Sequence, residues 1–567
     1  MIRNLSPEFP ISALESFDFG SVEAKDDQML INCPVPIAAM SELLNGSKDI
    51  VLGYRGTGKS AIVRLLAEKK LVFSVDHGWK SQVVILDEEF DYRVILEHLL
   101  KRAEDDRSRK MMCRIVWEIL LVYRMLQSVQ QNFGEEDSTI NEFIKEIDVL
   151  LGVSVRKPTL IQILLSHKKK VGVKLDTNLP NIIDFYAGLE PNSMEPVQEE
   201  QNTILKLADY KRYLNRFLHD RQTTLFILFD RLDDFVVQEE YSAQKALLEG
   251  LLATQLNYRE KCPRIKIKAF LRTDLFQRLD LNEFGPDKVL SRCVELKWTS
   301  SEIKSFLGKR IAHNLFRSLK LSTLGVVVDQ DTLQVTRDEL PILEETKLTL
   351  SNFNPLKFSH WRRFFWYVNR FSKARIGEGR QRHARDAVNE SLITSIFPRE
   401  ILCDNTFGPP REVKFLDFIE DYFQFSHGHS TPRGLLSFLN HALDSVRRYY
   451  DENRDIRTIK LDSKFEYPLF VKTAIRDAYK KYGRDAWEIQ FHWAKEKKYL
   501  IAELQKLSQK GSFSFVEFTK VANISEDEAK QFLAFTTQTG LTKCTNEREK
   551  HVNRAYRFPL LFQQSFQ

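Results

Sequence analysis

The chain has 567 residues, 43% of them apolar, 11% aromatic and 29% charged; it is too long for one hydrophobic core and too apolar for a disordered tail, so several folded domains are expected. Lys and Arg exceed Asp and Glu by 84 to 78, a formal charge of +6, which excludes any nucleic-acid argument from global charge and leaves only local patches to consider.

Residues 1–48 read as a lead-in with a short helix near Pro36–Leu44. Asp49–Gly53 is an apolar strand, followed by a glycine-rich turn and a helical run from Lys59 to Lys70. A second strand pattern covers Gln82–Leu86 and closes on Asp87. From about 91 to 220, aliphatic residues recur at three- and four-residue spacing between charged ones, the pattern of a long helical insertion. Strands return at Thr224–Asp230, at Ile265–Leu271 and more weakly at Val294–Trp298. Near-continuous apolar strands alternating with helices imply a parallel sheet covered on both faces, so residues 49–310 are expected to form an α/β core. Residues 311–495 read as a mostly helical lid or linker region, with a polar interval around Leu321–Leu350 that follows no pattern. Residues 496–567 read as three helices and then two strands, Leu541–Cys544 and Arg554–Pro559, around a charged turn, which is the order of a winged helix.

The six cysteines, Cys33, Cys113, Cys262, Cys293, Cys403 and Cys544, are scattered without a CxxC pair or metal-ligand spacing. That argues against disulfide and zinc frameworks and for a reducing compartment. Met1–Ser12 lacks an apolar signal core, and the apolar runs near Ile115–Val122 and Leu225–Phe229 are far too short to span a bilayer. A soluble cytoplasmic protein with no membrane partner is the expectation.

Gly53-Tyr54-Arg55-Gly56-Thr57-Gly58-Lys59-Ser60 satisfies GxxxxGK[ST] and stands between an apolar strand and a helix, the context that the motif requires. Average composition gives such a match a chance frequency of about 2% in a chain of this length. Gly53, Gly56 and Gly58 are expected to let the backbone curl so that successive N–H groups, with those of the helix start through Ala61, face a phosphate. Lys59 would reach the β and γ phosphates of ATP, and Ser60 would give its hydroxyl oxygen to Mg²⁺. A phosphate-bound Mg²⁺ also needs a carboxylate at the end of a neighbouring strand, and Asp230, after five apolar residues, has that setting.

The residues that follow, Arg231-Leu232-Asp233-Asp234, form the spacing D-x-h-D-[DE] with Asp230. With the P-loop, this pattern resembles the Walker B of STAND-type ATPases, the NACHT and apoptotic-ATPase group, and of bacterial P-loop ATPases related to them and to origin-recognition AAA+ proteins. The resemblance implies that Asp233 or Asp234 holds the attacking water, with Asp233 favoured; capping of the next helix is the alternative reading of both. Arg272, in Phe270-Leu271-Arg272-Thr273-Asp274, ends the fourth strand where this class carries a sensor beside the γ phosphate. Ser430-Thr431-Pro432-Arg433 resembles the Pro-Arg motif that opens a lid helix in AAA+ and origin-recognition ATPases, which implies that Arg433 contacts nucleotide.

Between Trp361 and Arg385, eight basic residues, Arg362, Arg363, Arg370, Lys373, Arg375, Arg380, Arg382 and Arg385, are interleaved with aromatics and a single acid, Glu378. The stretch suits nucleic-acid backbone and bases, and equally suits one buried helical face with solvated arginines opposite. In the C-terminal module the helix start Ser525–Glu528 carries three carboxylates where groove contacts would come, which favours a protein contact or intramolecular packing, although Lys543, Arg548, Lys550 and Arg554 keep a DNA role open. The function these features imply is an ATP- and Mg²⁺-dependent molecular switch, a regulator or sensor that the resemblance associates with bacterial defence against phage or with DNA transactions, acting as a homo-oligomer or on an effector protein. A DNA or RNA loader and a nucleotide-stabilised scaffold with negligible hydrolysis are the alternatives.

Overall fold

The computed structural model describes residues 8–86, 106–133, 138–151, 198–230, 241–318, 389–405 except 391, 392 and 395, 408–423, 431–460, 468–491, 498–508, 510–538, 540–546 and 548–565. Its strands are β1 Glu8–Pro10, β2 Ile50–Leu52, β3 Lys80–Leu86, β4 Thr223–Phe229, β5 Ile265–Leu271, β6 Cys293–Glu295, β7 Glu400–Asn405, β8 Gly408–Lys414, β9 Thr458–Lys460, β10 Ser512–Ser514, β11 Lys543–Cys544 and β12 Ala555–Arg557. The chain divides into two compact units, one of Ala38–Tyr54 and Ile62–Leu296, the other of Met1–Ile37, Arg55–Ala61 and Lys297–Gln567.

The first unit is built on a five-stranded sheet of order β3-β4-β5-β2-β6, parallel throughout. From β2 the chain goes to the far edge strand β3, returns one strand at a time through β4 and β5, and then passes β2 to reach β6. Such crossovers need helices, which cover both faces, so β4 (Thr-Thr-Leu-Phe-Ile-Leu-Phe) is buried at every position. One sheet face, with Ile50, Leu225, Ile227, Phe229, Ile267 and Leu271, packs into a core shared with Trp117, Leu121, Leu247 and Leu251 of the helices Asp106–Phe133 and Tyr241–Lys261. On the other face Phe226 stacks on Phe73, centroids 3.9 Å apart and planes 4° apart.

A buried ion cluster pins the start of β2 to β5. Lys268, a fully buried lysine within β5, has its Nζ 2.9 Å from Asp49 Oδ1 and donates to the Lys48 carbonyl at 2.5 Å. Arg259 Nη1 lies 2.5 Å from Asp49 Oδ2. The backbone agrees with this register, since the Ala269 N–H donates to the Asp49 carbonyl at 2.9 Å.

In the second unit the N-terminal segment is strapped to helices far along the chain. Phe17 and Phe19 pack on Phe470 and Phe19 on Phe397, and Arg447 Nη2 donates to the carbonyls of Leu14 (3.0 Å) and Phe17 (2.8 Å). Buried Arg310 meets Asp27 at 2.6 Å and also donates to the Phe19 carbonyl. β1 pairs antiparallel with β9, and β7 with β8. The helix Pro432–Glu452 contributes Leu436, Leu439 and Val446 to a core with Tyr479 and Tyr482 of the helix Lys472–Phe491. At the C-terminal end the helices Lys498–Ser508, Phe515–Ala522 and Glu526–Gln538 stand with an antiparallel sheet of order β10-β12-β11. Strand β10, absent from the sequence reading, is three residues too short to show a period, and Ser514 at its end caps the next helix by accepting from the Glu517 N–H at 3.1 Å.

The expected helical insertion is helical where it is described, over Asp106–Phe133, Ser138–Leu151 and Gln198–Asp220. The interval around 321–350, the basic and aromatic stretch between 361 and 385, and Ser430 lie outside the described residues. Strand β6 is shorter than Val294–Trp298 because the chain there turns into a helix cap. Thr299 N–H and Oγ1 bond to Glu302 Oε2 at 2.7 and 2.9 Å, opening the helix Ser300–Ser318. Among the described residues no helix is long and apolar enough to cross a membrane.

Candidate nucleotide-binding site

The GxxxxGK[ST] segment joins β2 to the helix Lys59–Ala67, so Lys59, Ser60 and Ala61 form the first turn of that helix. Two glycines make the bend, Gly56 at φ 83° and Gly58 at φ 99°, a backbone region costly to residues with a Cβ. Gly53 does not share in it, contrary to the expectation of three curling glycines: its N–H donates to the Leu271 carbonyl at 3.1 Å and extends the β2–β5 ladder. Thr57 and Lys59 are buried, Arg55 is exposed, and Tyr54 is half-buried.

In a curled loop whose N–H groups turn inward, the carbonyls turn outward and need donors. Trp298 supplies one, with its indole Nε1–H 2.8 Å from the Thr57 carbonyl, and its ring packs edge-on against Phe306 of the following helix. The Arg433 N–H lies 3.4 Å from the Gly56 carbonyl. A Cβ on Gly56 would come within 2.9 Å of the Arg433 Cβ and 3.4 Å of Thr431 Oγ1, so the absence of a side chain permits this approach. The helix Pro432–Glu452 starts there because Thr431 caps it, accepting from the Gly434 N–H at 3.3 Å, and Pro432 takes the first turn. The guanidinium of Arg433 lies on Glu23, Nη2 to Oε1 3.2 Å, both groups partly exposed.

At the carboxyl end of β5, Arg272 is held by Asp274 in a two-pronged pair, Nε to Oδ1 3.0 Å and Nη2 to Oδ2 2.7 Å. Between them Thr273 Oγ1 is buried with no hydrogen-bond partner. The Tyr54 phenol is pushed above its usual range, first by burial and then by the carboxylates Glu295 and Asp274. Asp230 follows β4 directly and is 7% exposed; β4 is separated from β2 by β5 alone. Asp233 and Asp234 lie outside the described residues. The sequence reading gave roles to Arg272 and Arg433 but none to their partners Asp274 and Glu23, and it quoted Trp298, Thr431 and Thr273 without assigning them a part in the site. Trp298 had a signal of a kind, an aromatic directly after a charged strand end, but nothing local points it at the loop.

Among the described residues no group of three or more His, Cys, Asp or Glu could by itself hold a metal ion. Magnesium asks for less: one carboxylate or hydroxyl oxygen or two, with phosphate oxygens and water completing the octahedron. Ser60 and Asp230 each carry an oxygen donor of that hard kind.

The parallel sheet order, the glycine-bent loop after β2 and the helix that follows it define the α/β P-loop ATPase fold. No protein-family model matches the sequence, and no curated protein matches it. Among solved structures the chain is similar to the ORC2 protein of Aeropyrum pernix, solved as ADPNP-ADP complexes, with 10% identity over 95% of this chain and 96% of that chain and a TM-score of 0.33.

Proposed function

We propose that the protein is an ATP-dependent molecular switch that binds Mg·ATP on the Gly53–Ser60 loop and hydrolyses it. The observation that carries the reading is the loop itself, with positive φ at Gly56 and Gly58, directly between a parallel strand and a helix start that carries Lys59 and Ser60. Loops of this shape gather N–H groups on a phosphate, and the helix dipole adds to the attraction. Ligands of open parallel sheets bind at the carboxyl ends of the strands, and Gly53, Asp230 and Arg272 all stand at such ends, of β2, β4 and β5.

In this reading Lys59 and the loop bind the β and γ phosphates, Ser60 and Asp230 hold the metal, and Asp233 or Asp234 orients the attacking water. Bound Mg²⁺ would neutralise charge on the β and γ oxygens. Arg272 would read the γ phosphate after leaving Asp274, and Arg433 would carry the nucleotide state into the helix Pro432–Glu452. Loss of the γ phosphate removes these contacts and relaxes the switch. The recipient is proposed to be a protein, an effector or a second copy of the chain. The carboxylates Glu526, Asp527 and Glu528 at the start of the helix Glu526–Gln538 support that choice over a duplex phosphate backbone.

Calorimetric titration of the full chain with Mg·ATP, in parallel with phosphate release, tests the reading. Binding is expected, and Lys59→Ala should abolish it. Asp230→Asn should keep ATP weakly but lose its Mg²⁺ dependence, and Asp233→Asn should keep ATP and lose turnover. No heat from the wild-type chain would overturn the proposal. One observation favours the scaffold reading, with binding but negligible turnover: the paired state of Arg272 and Asp274. Turnover that is undetectable in the wild type and in Asp274→Asn alike would select it.

A further inference from the structure

The ion pair between Glu23 and Arg433 joins two segments 410 residues apart in sequence, and neither segment is loosely held. The turn carrying Glu23 is anchored on both sides. Before it, Asn440 Nδ2 donates to the Gly20 carbonyl at 3.0 Å and the Gly20 N–H donates to Asp18 Oδ1 at 2.7 Å. After it, Asp27 is buried on Arg310. Within the turn the Glu23 N–H donates to Ser21 Oγ at 3.1 Å and the Glu23 carbonyl accepts from Asp26 at 3.1 Å. The carboxylate is therefore delivered by a strap that Phe17, Phe19 and Asp27 hold in place from below. Arg433 is equally fixed at its base, where its Cβ borders Gly56 and its N–H faces the Gly56 carbonyl.

We propose that Glu23 is an internal competitor of nucleotide phosphate for the Arg433 guanidinium, so that the N-terminal strap sets the threshold at which ATP engages the lid arginine. The proposal rests on the ATP-binding reading of the P-loop and deepens it to a means of regulation. The Arg433 backbone already stands at the loop, its N–H 3.4 Å from the Gly56 carbonyl, so the proposal asks only that its side chain exchange Glu23 for a phosphate. The pair is well suited to exchange: both members are partly exposed, 34% for Arg433 and 52% for Glu23, and such pairs are weak. A bound triphosphate offers a stronger and more highly charged acceptor. A buried pair such as Arg310 with Asp27 would not let go. Any partner that covers or displaces the strap would in this way raise the affinity for ATP without touching the nucleotide.

The test is calorimetric titration of the full-length wild type, Glu23→Gln, Arg433→Ala, the double variant and Lys59→Ala with Mg·ATP, after a thermal melt of each. Glu23→Gln keeps shape and hydrogen bonding and removes the charge; it is expected to bind about two- to fivefold more tightly than wild type, the worth of one exposed ion pair. In the Arg433→Ala background the same substitution should change nothing. Equal or weaker binding by Glu23→Gln overturns the proposal. So does an equal gain in both backgrounds, which would reflect a negative charge removed near an anion and not a released arginine. If Lys59→Ala loses binding while Glu23→Gln equals wild type, only the competition fails; if wild type and Lys59→Ala both give no heat, the ATP reading falls and takes the competition with it.

Discussion

Replacing Asp49 by Ala tests whether the buried charges at the start of β2 hold the strand that feeds the P-loop. Lys268 is 0% exposed at its side chain and Asp49 8%, so the ammonium has been taken out of water and relies on one carboxylate oxygen at 2.9 Å and the Lys48 carbonyl. Removing one partner of a buried pair costs about 3–5 kcal/mol, because the remaining charge stays desolvated. The Arg259 side chain is 40% exposed and turns to water, adding little. Replacing both members, Asp49→Val with Lys268→Met, leaves no orphan charge and is expected to cost within about 1 kcal/mol of nothing. Global unfolding of a chain of two units averages over both, so hydrogen exchange at the amides of Gly53 and Ala269, which bond across β2 and β5, is the more local assay. Asp49→Ala should speed exchange there by on the order of a hundred- to a thousandfold, and should weaken Mg·ATP binding because the strand entering the loop loses its register. Protection within tenfold of wild type, or a double variant as damaged as the single, refutes the reasoning.

The remaining expectations are narrower. Burial, opposed by Asp49, holds the Lys268 ammonium below its ordinary 10.5; between the folded value and 10.5 the unfolded chain binds more protons, so this residue's burial penalty fades as pH rises. Wild type should gain stability relative to Lys268→Met as pH rises toward 10.5 in urea titrations, and a loss over that range instead would show the sign to be wrong. Gly56→Ala adds strain at φ 83° and a collision 2.9 Å from Arg433, and should weaken Mg·ATP binding at least about tenfold. Gly46→Ala, at φ 80° with nothing within 4 Å, carries the same strain without the collision and should leave binding unchanged. Trp298→Phe keeps the packing on Phe306 and removes the donor to Thr57; a lost buried hydrogen bond costs about 1–3 kcal/mol, so roughly tenfold weaker binding with a nearly unchanged melt is expected, and unaltered affinity would make Trp298 a packing residue only.

The inner strands β2, β4 and β5 were legible in sequence because a parallel strand buried on both faces is a short run of apolar residues between polar turns, as in Thr223–Phe229, whereas the edge strands β3 and β6 are only partly buried. Helix starts were legible where a cap marks them. Thr431 before Pro432 and Ser525 before Glu528 both accept the N–H bonds that their types suggest, at 3.3 and 3.2 Å. Lys266 and Lys268 within β5 ran against this reading, since two lysines in a strand normally mark a solvated face. Lys268 is buried instead because Asp49, more than two hundred positions earlier, closes its charge. Period and composition carry no information about such a partner. The strap of residues 11–37 was invisible for the same reason: its donors are Arg310, Asn440 and Arg447, each on a helix whose own pattern is complete without them.

The P-loop shows where this boundary falls physically. What the loop does to a phosphate is decided by its own backbone, and a glycine can be recognised as a glycine from the sequence alone; even there, of Gly53, Gly56 and Gly58 only the last two carry the bend. What keeps the loop in that shape is decided by whatever meets its outward carbonyls, and any N–H in the protein satisfies the chemistry. Here the donors are an indole 241 positions away and the Arg433 amide in the first turn of a helix still further along. A sequence can therefore announce an anion site while remaining silent about its stiffness, and stiffness separates a loop that binds a triphosphate from one that binds it and passes the event on. The Trp298 indole and the Arg433 amide are the donors that meet the loop's carbonyls, and on the proposal above the Glu23 carboxylate governs how readily Arg433 answers a phosphate. Variation at those three positions, with Lys59 intact, should then shift ATP affinity in both directions, weaker for Trp298→Phe and tighter for Glu23→Gln.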